Sequence, residues 1–128
     1  MFLFSGCNNH YYYDYNELTS SVKQIYIVEV QRSEYYGEIS IKYLKEIKEE
    51  FNVFLEDLSE LRYESSVLLS PQNNTGKAIM LVYSDEEYDY GIIGLNGIEK
   101  FKNNTQTYLY NARCDEDKFN LILDNYYD

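Results

Sequence analysis

KAIMLVYSDEEYDYGIIGLNG, residues 77–97, decides the architecture. KAIMLVYS (77–84) is rich in strand-favouring residues, DEE (85–87) is a tight acidic turn, and YDYGIIGLNG (88–97) resumes the strand pattern. A turn this short leaves no room for a crossover helix, so the two runs must pair antiparallel. Gly91, Gly94 and Gly97 interrupt the second run and predict bulges or close backbone approach.

Outward from this hairpin the pattern repeats. KNN (102–104) is a second turn and QTYLYNA (106–112) a third strand, which makes a meander. Upstream, QIYIVEVQ (24–31) puts Ile25, Ile27 and Glu29 on one face and Tyr26, Val28 and Val30 on the other. RSEYYG (32–37) turns the chain. Ile39, Ile41 and Tyr43 then alternate with Ser40 and Lys42 in a strand extending to Ile47. SPQNNTG (70–76), with the only proline, is the clearest loop.

Two segments change period. In KEEFNVFLEDLSEL (48–61), Phe51, Phe54, Leu55, Leu58 and Leu61 recur at three and four, one stripe of a helix. Glu49 and Glu50 suit its N-terminal dipole, and Glu56, Asp57 and Glu60 read as a solvated face. Asp115 caps DEDKFNLILDNYY (115–127), where Phe119, Ile122, Leu123 and Tyr126 form the second stripe. Asp14 or Asn16 caps a short helical turn through Leu18 and Val22. The expected fold is α+β: a mainly antiparallel sheet of about five strands with two helices on one face, in two layers.

At 128 residues with 45% hydrophobic content, the chain is one globular domain. Its formal net charge of −11 repels phosphates and anionic headgroups, which argues against nucleic acid; the acid serves solubility alone, or, as the alternative, an acidic face meets a basic protein partner. Sixteen tyrosines without a tryptophan supply rigid rings with a wet hydroxyl, suited to half-buried strands or to adhesive surfaces. No apolar run reaches the roughly 18 residues a membrane helix needs.

Catalytic chemistry finds little to use. The single histidine, His10, lies in NNHYYYDYN (8–16), a stretch without period that reads as a tether or irregular arm and holds geometry poorly. No H-E-x-x-H or paired C-x-x-C occurs, and no helix opens after GIIGLNG as a dinucleotide site requires. DEEYD (85–89) lacks the ligand spacing and glycine of a calcium loop. No cofactor or metal is expected, and binding without catalysis is the expected activity. The candidate contact surface is Tyr83, Tyr88, Tyr90, Tyr108 and Tyr110 with Asp85, Glu86, Glu87 and Asp89, all on the meander. The alternative packs these rings between sheet and helix.

The first residues bear on location. Leu3-Phe4-Ser5-Gly6-Cys7 resembles a bacterial lipobox, whose cysteine is lipidated and becomes the mature N-terminus. Phe4 stands where lipoboxes carry an aliphatic residue. Only Phe2 to Phe4 occupy the place of an apolar leader core of about 7–15 residues, so a longer leader is expected before them. The alternative makes MFLF a hydrophobic first strand. DYNEL (14–18), VKQIYIVEV (22–30), FLEDLSEL (54–61), GKAIMLVYSD (76–85) and CDEDKFNLIL (114–123) are similar to a family of small, uncharacterised lipoproteins of Gram-positive bacteria. The resemblance implies lipidation at Cys7, the outer face of the cell membrane, and no transferable activity. Residues 1–16 are then lipobox and polar tether, and 17–128 a single α+β domain. The competing expectation is a soluble, cytoplasmic acidic inhibitor or immunity-type protein that docks on a basic partner. Cys7 and Cys114 allow one intramolecular disulfide or two separate thiols.

Overall fold

The computed structural model describes residues 9–33, 39–65 and 74–127. Cys7 with the lipobox, most of the 32–37 turn and the start of the 70–76 loop lie outside these. Eight strands and three helices follow in the order β1 (Asn9–Tyr12), α1 (Tyr15–Ser21), β2 (Val22–Arg32), β3 (Ile39–Ile47), α2 (Phe51–Ser59), β4 (Arg62–Ser65), β5 (Gly76–Tyr83), β6 (Tyr90–Gly94), β7 (Gly97–Lys102), β8 (Thr105–Asn111) and α3 (Glu116–Tyr127).

The main sheet has six strands in the order β3-β2-β5-β6-β7-β8, and every neighbouring pair is antiparallel. Turn chemistry explains the meander. Asn103 and Asn104 both take positive φ, 54° and 62°, as a two-residue hairpin turn with the sheet's own twist demands. Gly97, at φ 150°, sits where a Cβ would run into the carbonyl oxygen of Tyr110. Asp14 and Asp115 cap α1 and α3 as expected: Asp14 Oδ1 accepts the N–H of Asn16 at 2.8 Å, and Asp115 Oδ1 that of Lys118 at 3.0 Å. At α2 the capping position is held by Glu50, whose side chain makes no capping hydrogen bond.

The strand pleat divides the core in two. On one face Ile25, Ile27, Ile79, Leu81, Ile93 and Ile98 pack against Leu18, Phe54, Leu55, Leu58, Phe119, Ile122 and Leu123 of the helices. Both predicted stripes are therefore core, each side chain contributing about 1.5–3 kcal/mol on burial. The opposite face carries a second cluster of Val28, Val30, Ala78, Met80, Tyr90, Ile92 and Phe101, with no helix residue in it among the described residues. The α+β arrangement of helices on one face of an antiparallel sheet is thus the observed one, with six strands where about five were expected: the run read as one strand over 88–97 ends at Gly94, turns at Leu95 and Asn96, and pairs back from Gly97 as β7.

The polar-aromatic stretch departs from its reading as an irregular arm. Asn9–Tyr12 is a strand, paired antiparallel with Arg62–Ser65 in a separate two-stranded ladder. Tyr13 and Leu18 behind it are buried in the main core. Four residues of RYES are too few to show a period, so the partner strand left no trace in the sequence pattern. The ladder is tied to the chain after β8, where Glu64 and Arg113 exchange both backbone hydrogen bonds.

Candidate functional site

The meander gathers three of the five singled-out tyrosines. Tyr83, Tyr88 and Tyr108 lie on the helix side of the sheet, with ring centres 6.4 Å (Tyr83–Tyr88) and 6.5 Å (Tyr88–Tyr108) apart. Lys100 on β7 points its ammonium into their midst. Nζ is 4.8 Å from the Tyr88 ring centre, 5.1 Å from Tyr108 and 5.8 Å from Tyr83, within cation–π range of all three. Gly91, beneath, leaves room for the Tyr83 ring. Tyr110 packs on the same face.

Tyr90 does not join them. As the first residue of β6 it pairs with Val82 and Phe101, and the pleat turns it to the opposite face, where it stacks on Phe101 at 4.8 Å and 11°. Tyr83 and Tyr90 are buried, 7% and 8% exposed, and Tyr88, Tyr108 and Tyr110 are half-buried. The five rings therefore form no single surface.

Two of the four acids serve the local backbone. Asp85 Oδ1 accepts the N–H groups of Glu87 and Tyr88, both at 3.1 Å, which closes the turn on itself. Asp89 accepts the Asn103 N–H at 2.7 Å and lies 3.3 Å from Lys102 Nζ. The Asn103 bond first, and the lysine after it, hold its carboxyl below its ordinary range. Glu86 and Glu87 project into solvent at the tip.

A buried network unmarked by the sequence reading clamps the end of the β6–β7 hairpin. Glu99 is fully buried and accepts from Arg32 Nη2 at 2.5 Å, Gln106 Nε2 at 2.6 Å, and Asn74 Nδ2 and N at 2.9 and 3.2 Å. Asn74 in turn donates to Gly97 O and accepts the Asn96 N–H. The signal was present in GIEKF, where Glu99 shares the strand phase of buried Phe101. With the carboxylate this well satisfied, the network is a clamp and offers no free group to a ligand.

Cys114 is a free, buried thiol beside Tyr63, and burial pushes both groups above their ordinary pKa. The Tyr63 hydroxyl donates to Gly94 O. Among the described residues no group of three or more His, Cys, Asp or Glu is arranged to hold a metal ion. No helix among them is long and apolar enough to cross a membrane.

The helix layer is the charged surface. Residues 48–61 and 115–127 hold nine acids (Glu49, Glu50, Glu56, Asp57, Glu60, Asp115, Glu116, Asp117, Asp124) and two lysines (Lys48, Lys118), so they carry −7 of the −11. α2 and α3 lie side by side. Phe54 meets Tyr126 edge-on at 4.8 Å, and the Tyr126 hydroxyl donates to Asp57 Oδ2 at 2.5 Å. Burial, then that carboxylate, raise the Tyr126 pKa well above its ordinary value. An open groove of about 290 Å³ runs between the two helices, lined by Asp57, Glu60, Leu61, Lys118, Leu121, Ile122 and Asn125. On the opposite side of the sheet Ile39, Ile41, Tyr43, Met80, Tyr90 and Asn104, none of them charged, are the described residues that line a broader groove of about 600 Å³.

Comparison with protein-family models, with curated proteins and with solved structures gives no match to this chain.

Proposed function

We propose that this chain is a non-catalytic protein-binding domain that docks on a basic partner through its helix layer. The observation that carries this reading is the placement of charge: two helical segments hold most of the net negative charge, on one side of the sheet. Such a field steers a basic protein in and repels nucleic acid. The meander rings are a second contact area, with Tyr88, Tyr108 and Tyr110 half-exposed beside Glu86 and Glu87. Lys100 already supplies the cation these rings attract, so they offer contact area more than cation capture.

The location proposed with it is the outer face of a bacterial cell membrane, with the lipid on Cys7. The LFSGC stretch and the lipoprotein-like pattern of the chain support it. With β1 beginning at Asn9, one residue would separate the lipidated cysteine from the fold, so the domain would ride directly on the bilayer.

Two experiments test these statements. Metabolic labelling with an alkynyl fatty acid compares the full-length gene product with its Cys7→Ser variant, and equal labelling ends the lipoprotein reading. Capture from native envelope extracts compares the wild-type domain with a Glu49→Gln, Glu56→Gln, Glu60→Gln variant at low and high salt. Basic proteins retained only by the wild type, and only at low salt, are expected; the same set on both overturns the binding reading.

A further inference from the structure

We infer that the groove between α2 and α3 receives an amphipathic basic helix of the partner, an inference that rests on the binding reading above. The floor of the groove is apolar, built by buried Leu61 and Ile122, and Leu121 stands in it 59% exposed. Val53, one turn before Asp57 on α2, is 56% exposed. These are two of the few large apolar side chains the described residues leave in water, and both lie in the helix layer.

Size and charge select the occupant. About 290 Å³ falls at the lower limit of small-molecule pockets, which run from roughly 300 to 1,000 Å³, and the groove is open to solvent. It suits a few side chains presented in a row, as a helix presents them at every third and fourth position. Its walls are acidic. Asp57 and Glu60 stand on the α2 side, with Glu56 exposed on the same helix.

The acids of α2 also sit at its energetically wrong end. Glu56 and Asp57 occupy its second half and Glu60 is its C-cap, where the helix dipole disfavours negative charge, and its last turn holds no basic residue. A lysine- or arginine-rich helix laid along the groove relieves that repulsion while its apolar stripe covers Leu121. Lys118, the single cation of the lining among the described residues, gives the docked helix one place for an acid and hence a preferred direction.

The test uses two dye-labelled peptides of eighteen residues and identical Leu/Lys composition. One has leucine at helical three-four spacing; the other has the same residues reordered so that no stripe forms. Fluorescence anisotropy measures affinity, and ¹⁵N shift perturbation maps the contact on the protein. The striped peptide should bind at least ten-fold tighter than the reordered one and shift the amides around Leu61, Lys118, Leu121 and Asn125. Leu121→Ser, at an exposed position that leaves the fold intact, should weaken it about ten-fold, and Glu60→Lys likewise. Equal affinity of the two peptides, shifts confined to the meander or to the opposite face of the sheet, or an unchanged affinity in Leu121→Ser overturns the inference. If the peptides do not discriminate while charge-dependent capture of basic proteins persists, this inference falls and the broader reading stands. If the groove binds the peptide while envelope capture is charge-independent, the broader reading falls.

Discussion

Replacing Glu99 with Ala should be the most damaging single polar-to-alanine change in the domain. The carboxylate is fully buried and accepts four hydrogen bonds, from Arg32, Gln106 and twice from Asn74. Removing one partner of a buried ion pair costs about 3–5 kcal/mol, because the other charge stays behind uncompensated. Arg32 softens this somewhat. Its side chain is 12% exposed and its Nε keeps a bond to the Asn74 carbonyl at 2.9 Å. Asn74 works the other way, since its buried backbone N–H loses its acceptor at a cost of about 1–3 kcal/mol. The expected loss is about 4 kcal/mol, a large share of the roughly 5–15 kcal/mol that holds a domain together. It corresponds to a fall in Tm of roughly 10–20 °C at this length. Urea titration followed by far-UV circular dichroism measures it. A double-mutant cycle with Arg32→Met separates the pair from its surroundings, and a coupling of about 1.5–3 kcal/mol is expected. A loss for Glu99→Ala below about 1 kcal/mol, or strict additivity with Arg32→Met, would refute the clamp.

Three further outcomes are expected. Leu58→Ala, deep in the core between α2 and the sheet, should cost about 2–5 kcal/mol in the same titration; a cost near zero would mean that the α2 stripe does not pack as observed. Asp89 is held below its ordinary pKa, so its contribution is complete above the ordinary carboxylate value and is lost as pH falls through the lowered one. Asp89→Asn should flatten that acid limb of the stability curve, and an unaltered limb would show that the Asn103 and Lys102 bonds carry nothing. Tyr126 is held above its ordinary pKa, so its contribution is complete below about pH 10 and is lost as pH rises beyond. Tyr126→Phe should make unfolding less sensitive to alkali in that range, with the pH dependence of Tm as readout and identical curves as the contrary result.

The elements that were legible have their physics in nearest neighbours along the chain. Residues 77–94 run strand, turn, strand within a few positions, so the β5–β6 hairpin could be read from spacing alone, whereas the tight turn at Leu95 and Asn96 and the strand β7 after it were not read. The stripes of α2 and α3 recur at three and four, and Asp14 and Asp115 stand one step before their helices, so burial and caps followed as well. RYES with its partner NHYY was illegible because four residues show no period, and the pairing joins positions 50 to 56 apart in sequence. The candidate surface divided for a related reason. Tyr83, Tyr88 and Tyr108 lie close in space because strands fold back on one another, yet one residue's difference in pleat phase sends Tyr90 to the other face.

Composition and period thus establish an acidic, tyrosine-rich α+β domain with its helices on one side of an antiparallel sheet, because hydrophobic alternation and turn chemistry act locally. Which charges are spent and which remain available is decided in three dimensions. Glu99 looks like any strand carboxylate until Arg32 and Asn74 arrive from distant segments to neutralise it. Glu56, Asp57 and Glu60 read as a solvated face until α3 comes alongside, takes Asp57 through Tyr126 and leaves an acidic groove floored by Leu61 and Ile122. Coulomb and hydrogen-bond energies depend on separation in space, and separation along the chain does not supply it.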